Sequence, residues 1–267
     1  MQQLANEEDK RWENWRIANS KFPLVRQIEL RKQLELTAPN EGESILEVGT
    51  GNGYLTFELA KSVGLGGRVI TCDYTQSNLD FVHSVNHGRF PITLIKQDLG
   101  YNFDFPNEYV DKISTIATLH HYDNRDKQTG MSCRQKAMKE FYRLLKKDGV
   151  LVIGDVAHNT DPQRYFDAID SPFYAAPRGH PHDFLDERLA YDLCSIADFR
   201  GMEFIIADVP WVFRSEGQAK EFVHTLHNAQ CSPDESLAMV KKYLSYSTRT
   251  DGRVEIGWQL FYLVAKK

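Results

Sequence analysis

The sequence predicts an α/β protein built on an open, doubly wound, mostly parallel sheet of seven strands. Three observations predict it. Short apolar runs alternate with segments of helical period four times between residues 44 and 156, and such alternation gives parallel strands joined by right-handed helical crossovers. The runs are continuously apolar, as in strands buried on both faces. The first run stops at a glycine-rich loop, and sheets of this kind bind ligands at the carboxyl ends of their strands.

Each element follows in order. Residues 7–36 carry mixed charge with apolar positions at Trp12, Trp15, Ile17, Leu24, Ile28 and Leu30. One or two amphipathic helices are predicted there, ended by Pro39 and Gly42. SILEVGT (44–50) is the first strand, and GYLTFELAKSVG (53–64) is a helix with Leu55, Leu59 and Val63 on one face. RVITCDY (68–74) is the second strand, with Cys72 a small core residue. SNLDFVHSVNHG (77–88) is a second helix stopped by Gly88, and ITLIKQD (92–98) a third strand. YVDKISTIATL (109–119) gives the fourth strand, residues 134–149 a helix closed by Gly149, and VLVIGDV (150–156) the fifth strand.

Beyond residue 156 the rhythm changes. Residues 157–183 are rich in Pro, His, Tyr and Asp without a clear period, which predicts a long loop or broken helix. Helix returns at 184–199, with Asp183 placed to cap it, and a strand at 202–213. Residues 216–246 read as two helices broken around Ser232 and Pro233, and 254–267 as a closing strand. Trp211, Phe213, Trp258, Phe261 and Tyr262 fall in strand patterns and are predicted core. Long connections inside domains are usually functional. Residues 1–43 are therefore expected to be a helical lead-in or lid, and 44–267 the main domain, with 157–183 and 214–252 as a substrate lid.

Composition narrows the function. The 267 residues carry 32 Lys+Arg against 37 Asp+Glu, a net charge of -5, so nothing in the overall charge attracts a nucleic-acid backbone. A 42% hydrophobic content excludes bulk disorder. No apolar run approaches the ~18 residues that span a bilayer, and the polar start MQQLANEEDKRWENW lacks the apolar core of a secretory signal. Cys72, Cys133, Cys194 and Cys231 form no C-x-x-C pair, which argues against a zinc knuckle or dithiol motif and for reduced thiols in a cytoplasmic protein.

The informative stretch is Ile45-Leu46-Glu47-Val48-Gly49-Thr50-Gly51-Asn52-Gly53. A nicotinamide-type G-x-G-x-x-G/A loop needs a third small residue where Tyr54 or Thr56 stands. No G-x-x-x-x-G-K-[ST] occurs, which removes the Walker nucleotidase reading. Glycines at 49, 51 and 53 let main-chain atoms approach a ligand closely, and the amides opening the next helix suit an anionic group. Glu47 is placed to meet an ammonium group. Asp73 ends the second strand about 20 residues on.

The pattern E-x-G-x-G-x-G resembles motif I of the class I S-adenosylmethionine-dependent methyltransferases. The likeness continues through Asp73, through Asp98 in Lys96-Gln97-Asp98-Leu99, through Thr118-Leu119-His120-His121-Tyr122, and through Leu144-Leu145-Lys146-Lys147-Asp148-Gly149-Val150-Leu151. It covers roughly residues 44–156. The resemblance implies a Rossmann-like fold, S-adenosyl-L-methionine as cofactor, and cofactor contacts from Glu47, Gly49, Thr50, Gly51, Gly53, Asp73, Tyr74, Asp98, Leu99 and Thr118. The chain order is also similar to a subgroup acting on small carboxylates, the carrier-protein carboxylate and trans-aconitate O-methyltransferases.

Methyl transfer needs positioning and, for a neutral acceptor, removal of a proton. The candidate bases are His120, His121 and His182, because imidazole works near neutral pH. Asp155, His158, Tyr174, Arg178 and His180 are candidate acceptor contacts, Arg178 suiting a carboxylate or phosphate. The string His180-Pro181-His182-Asp183 also invites a metal reading, but its spacing in an irregular loop is non-specific, so no metal is expected. The leading expectation is methyl transfer to a small-molecule acceptor at oxygen, with no membrane or nucleic-acid partner. RNA or protein methylation is the alternative, weakened by the acidic balance and by the absence of (N/D)-P-P-(Y/F) after the fourth strand. A cofactor-binding homologue that does not methylate is another. Trp12 and Trp15 either fold over the pocket or pair two subunits into a homodimer.

Overall fold

The computed structural model describes residues 13–97, 102–122, 132–170 and 183–267. Residues 13–21 form helix α1, followed by α2 (Gln27–Thr37), β1 (Ser44–Val48), α3 (Tyr54–Val63), β2 (Arg68–Asp73), α4 (Gln76–Asn86), β3 (Ile92–Lys96) and β4 (Val110–Ile116). A 3-10 turn at Leu119–His121 precedes α5 (Cys133–Leu144), β5 (Leu145–Asp155), α6 (Asp161–Ile169), α7 (Glu187–Ile196), β6 (Arg200–Asp208) and β7 (Trp211–Phe213). The chain ends with α8 (Glu216–Leu226), α9 (Pro233–Tyr243), β8 (Tyr246–Thr248), β9 (Val254–Ile256) and β10 (Gln259–Lys266).

The chain divides into two compact units. The sheet unit comprises Arg31–Asp155, Asp183–Ile206 and Phe261–Lys267. Its seven strands run in the order β3-β2-β1-β4-β5-β10-β6. β1, β2, β3, β4 and β5 pair in parallel, and β10 runs antiparallel to β5. The order reverses between β1 and β4, which makes their carboxyl ends the switch point where such sheets take ligands.

The central strands are buried on both faces, as their unbroken apolar runs require. Ile45, Leu46, Ile113, Leu151, Val152 and Ile153 have no exposed surface, and each contributes about 1.5–3 kcal/mol by leaving water. α3 packs on β1 and β2, α4 on β2 and β3, and α5 on β5 and α7. Gln33 of α2 is completely buried. Its Nε2 donates to Ser114 Oγ at 2.8 Å and to the Thr115 and Val152 carbonyls at 3.2 Å. Gly154 is glycine for this reason: a Cβ there would lie 2.6 Å from Gln33 Oε1.

One boundary differs from the sequence reading. The helix expected to run to Gly149 ends at Leu144, because Leu145 is already extended (φ -67, ψ 135). β5 starts there, and the chain then bulges through Asp148 (φ 64), shifting the register against β4 between Val110 and Lys112.

The second unit comprises Met1–Leu30, Val156–His182 and Ala207–Leu260. It gathers parts of the three segments assigned above to lead-in and lid. Its three-stranded sheet has the order β7-β9-β8. The two strands expected at 202–213 and 254–267 each break in two. Pro210 has no N–H to donate to a ladder, so β6 ends at Asp208 and β7 restarts at Trp211. Gly257 separates β9 from β10, and a Cβ on it would fall 2.0 Å from Ser245 Oγ. Trp211, Phe213 and Trp258 are buried in this unit, Trp211 stacked on Trp258 at 4.1 Å. Phe261 and Tyr262 are buried in the sheet unit. The helical segment breaks at Ser232 and Pro233, where Ser232 and Glu235 form a capping box on α9. Within 157–183 the structure places α6, where no clear period was legible. Among the described residues, no helix is long and apolar enough to cross a membrane.

Candidate active site

The glycine loop folds back on the end of β2. The Gly49 and Thr50 amides donate to the Cys72 carbonyl at 2.9 and 3.0 Å, the Gly51 amide donates to Asp73 Oδ2 at 3.0 Å, and Thr50 Oγ1 lies 2.7 Å from Thr71 Oγ1. These amides face their own chain. The glycines at 49 and 53 are fixed by internal packing. Gly49 has φ 91, and a Cβ there would lie 2.2 Å from Thr118 Oγ1; Gly53 has φ 79, and a Cβ would meet Phe57 and Val82 at 2.8 Å. Thr118 thus occupies the space beside Gly49, with its hydroxyl donating to the Ile116 carbonyl at 2.9 Å. The carboxyl ends of β1 and β4 meet at this contact.

Two buried acids stand at neighbouring strand ends. Glu47 is 1% exposed and accepts from Thr56 Oγ1 at 2.5 Å, so its carboxyl faces the first turn of α3. Burial pushes it up to about 8, against hydrogen bonds from Thr56 and Thr71, and the Asp73 charge adds to the rise. Asp73 is raised by burial as well. It accepts from the Gly51 amide, from the Thr75 amide at 2.8 Å and from Asn78 Nδ2 at 3.1 Å. A carboxylate has about four acceptor positions, so room for one further donor remains. Tyr74, next in the chain, is 46% exposed.

These groups suit a ligand carrying hydroxyls, a cation and a carboxylate. Asp73 has the spare acceptor for a hydroxyl. Asn52 Oδ1, in the loop, is buried and has no hydrogen-bond partner among the described residues, which suits an ammonium donor. The first turn of α3 receives no side-chain cap from Gly53, and the N-terminus of a helix suits an anion. Two neighbouring acids whose carboxyls are raised by burial would regain charge beside a cation. The residues present fit S-adenosylmethionine.

Three residues beyond the end of β4 the chain turns at Leu119–His121, after Ala117 takes a left-handed conformation (φ 52), a strain typical of functional edges. His120 is 7% exposed. Its ring Nδ1 lies 2.8 Å from Asp155 Oδ1, and its amide donates to Asp155 Oδ2 at 3.0 Å. Asp155, at the end of β5, is therefore committed to His120 through both oxygens. A carboxylate oxygen beside Nδ1 favours the ring form that carries a proton on that nitrogen. His121 is half-buried, its ring centroid 4.0 Å from that of His120. His158 lies in an exposed turn of the second unit. Asp98, Leu99, Tyr174, Arg178, His180 and His182 lie outside the described residues.

Asp183 does not cap α7. Asp186 does, accepting from the Leu189 amide at 2.7 Å, while Asp183 Oδ2 accepts from Arg134 Nη1 at 2.8 Å. Sequence reasoning missed Arg134, Asn52, Thr56 and Asn78. Asn52 fills a variable position of the glycine loop and the other three sit in no recognisable motif; each acquires a role only through the folded neighbourhood.

A family model described as a methyltransferase domain matches residues 46–153. The chain is similar to the demethylmenaquinone methyltransferase of Lactobacillus johnsonii, 31% identical over 136 residues, covering 49% of this chain and 50% of that one. It is also similar to the ubiquinone/menaquinone biosynthesis C-methyltransferase of Hydrogenovibrio crunogenus, 28% identical over 138 residues and 49% of each chain. The chain spans about half the length of the curated relatives it matches. Among solved structures, geranyl diphosphate C-methyltransferase from Streptomyces coelicolor superposes with a TM-score of 0.61 at 12% identity, covering 93% of this chain and 83% of that one; at that identity the likeness shows the fold.

Proposed function

We propose that the chain, whose residues 46–153 match a model described as a methyltransferase domain, uses S-adenosylmethionine to methylate a small-molecule acceptor that must lose a proton, with His120 as the base. The observation that carries this reading is the double contact of Asp155 with His120. It fixes the ring, its tautomer and its backbone together, the arrangement that makes an imidazole an effective proton acceptor.

Asp73, Asn52 and the first turn of α3 would hold the cofactor, which supplies an electrophilic methyl group on a positively charged sulfur. Thr118 packs on Gly49 and so sets the end of β4 against the cofactor loop. His120 Nε2 would take the acceptor's proton, and Asp155 would then steady the imidazolium. Oxygen is the proposed attacking atom, with the carboxylate O-methyltransferase subgroup as the architectural model. The printed names of the two curated relatives favour a second reading, methyl transfer to carbon of a quinone precursor. A carbon acceptor sheds a proton too, so the same base serves both.

His121, His158, Tyr174, Arg178 and His180 are proposed acceptor contacts. The second unit, with 157–183 and 214–252, is proposed to select the acceptor. A cytoplasmic location, homodimerisation and the absence of a nucleic-acid partner complete the reading. The deciding experiment incubates the chain with methyl-labelled cofactor and a metabolite extract. A labelled small molecule whose methyl resonance is that of O–CH3 or C–CH3 supports the reading and separates its two forms. Binding of the cofactor with no labelled product would sink it.

A further inference from the structure

We infer that Arg134 and Asp183 form a positioning pair for His120, a role that rests on the proposed use of His120 as the base. The turn that carries His120 is three residues long, too short to hold its own geometry. Asp155 secures it on the β5 side. The opposite side is secured by one guanidinium and one aspartate. Arg134, 3% exposed at the start of α5, donates Nε to the Leu119 carbonyl at 3.2 Å. Its Nη1 donates to Asp183 Oδ2 at 2.8 Å, and its Nη2 to the Asp183 carbonyl. The Asp183 amide donates to the His120 carbonyl at 3.1 Å. The carbonyls of His120 and of the residue before it are thus tied to a single charged unit.

Helix capping does not explain a buried cation here. α5 already has a complete capping box from Ser132 and Gln135. A buried guanidinium is tolerated only when paired and fully hydrogen-bonded, and the partners of Arg134 are the His120 turn and Asp183. The planar fork of arginine reaches these acceptors at once, which a lysine ammonium cannot do.

The test uses the full chain labelled with ¹⁵N-histidine, with the His120 ring signals assigned by their loss in His120→Gln. The variants are Arg134→Lys and Asp183→Asn. Asp183→Asn sits at a half-exposed position and keeps an amide oxygen that can still accept from Arg134, and its folding is checked by circular dichroism before the other readouts. In the parent the ring nitrogens report one tautomer, with the proton on Nδ1. In both variants a second tautomer grows in. Transfer of labelled methyl to a metabolite extract falls roughly ten- to a hundredfold, while affinity for S-adenosylhomocysteine stays within about twofold. A folded Asp183→Asn chain with an unchanged ring spectrum and unchanged transfer overturns the pair. Full transfer by His120→Gln would instead overturn the base, and the two failures are read from different samples.

Discussion

Asp155 holds His120 at two points, with one carboxylate oxygen on the ring Nδ1 at 2.8 Å and the other on the backbone amide at 3.0 Å. β4 and β5 are parallel neighbours, so their ends deliver the two residues side by side. Replacing Asp155 by Asn puts an NH2 group where the ring proton is accepted, which favours the opposite tautomer. Asp155→Asn is expected to bind S-adenosylhomocysteine as the parent does and to transfer label about 10²–10⁴-fold more slowly. Single-turnover labelling measures this, and an unchanged rate would remove His120 from proton transfer.

Glu47 makes stability depend on pH. Its folded value, about 8, lies above the ordinary 4.5, so between those values the folded chain holds a proton that the unfolded chain has lost. Stability is then full below about pH 4.5 and declines as pH rises toward 8. Glu47→Gln carries no such charge and should be more stable than the parent at pH 8, by about 1–3 kcal/mol, and equal to it near pH 5. Denaturant melts at the two pH values check the difference; a parallel pH dependence in both chains would refute it.

Gly49 and Thr118 compete for one volume. Gly49→Ala puts a methyl group 2.2 Å from Thr118 Oγ1 at a φ of 91, and is expected to destabilise the chain by about 2–4 kcal/mol. Thr118→Ala in the same chain should restore about 1–2 kcal/mol, because it relieves the collision but not the backbone strain. Chemical denaturation of the four chains of the cycle gives the coupling, and strict additivity would show that the contact is unimportant.

Gln33 is the main polar fastening of α2 to the sheet. Gln33→Leu removes the buried amide's hydrogen bonds to Ser114 and to the Thr115 and Val152 carbonyls, for an expected loss of about 2–4 kcal/mol. Unfolding midpoints would show it. A neutral outcome would mean that these acceptors find other donors.

The sequence made legible whatever a local pattern encodes. The buried strands at 44–48 and 110–116 are unbroken apolar runs, the loop from Gly49 to Gly53 is punctuated by glycine, and Asp73 and His120 sit at strand ends. The helix break at Ser232 and Pro233 is equally local. What escaped depends on neighbours distant in the chain. Asp155 was read as an acceptor contact because nothing in its own segment shows that β4 places His120 beside it. The glycines at 49 and 53 were read as room for a ligand, whereas Thr118, Phe57 and Val82 occupy those positions. Nothing in the local pattern of residues 27–37 distinguishes Gln33 from the other polar positions of the helix. The strands at 202–213 and 254–267 kept their apolar pattern across Pro210 and Gly257, so the change of sheet was hidden. Gly149 was read as a helix stop although it belongs to a bulge within β5.

The most direct measurement is a calorimetric titration of S-adenosylhomocysteine into the parent chain and into Asp73→Ala. Saturable one-to-one binding in the micromolar range by the parent, weakened at least about tenfold by loss of the carboxylate, is the predicted result. No binding by the folded parent at high micromolar concentration, or equal affinity in the two chains, would contradict a cofactor site at the ends of β1 and β2.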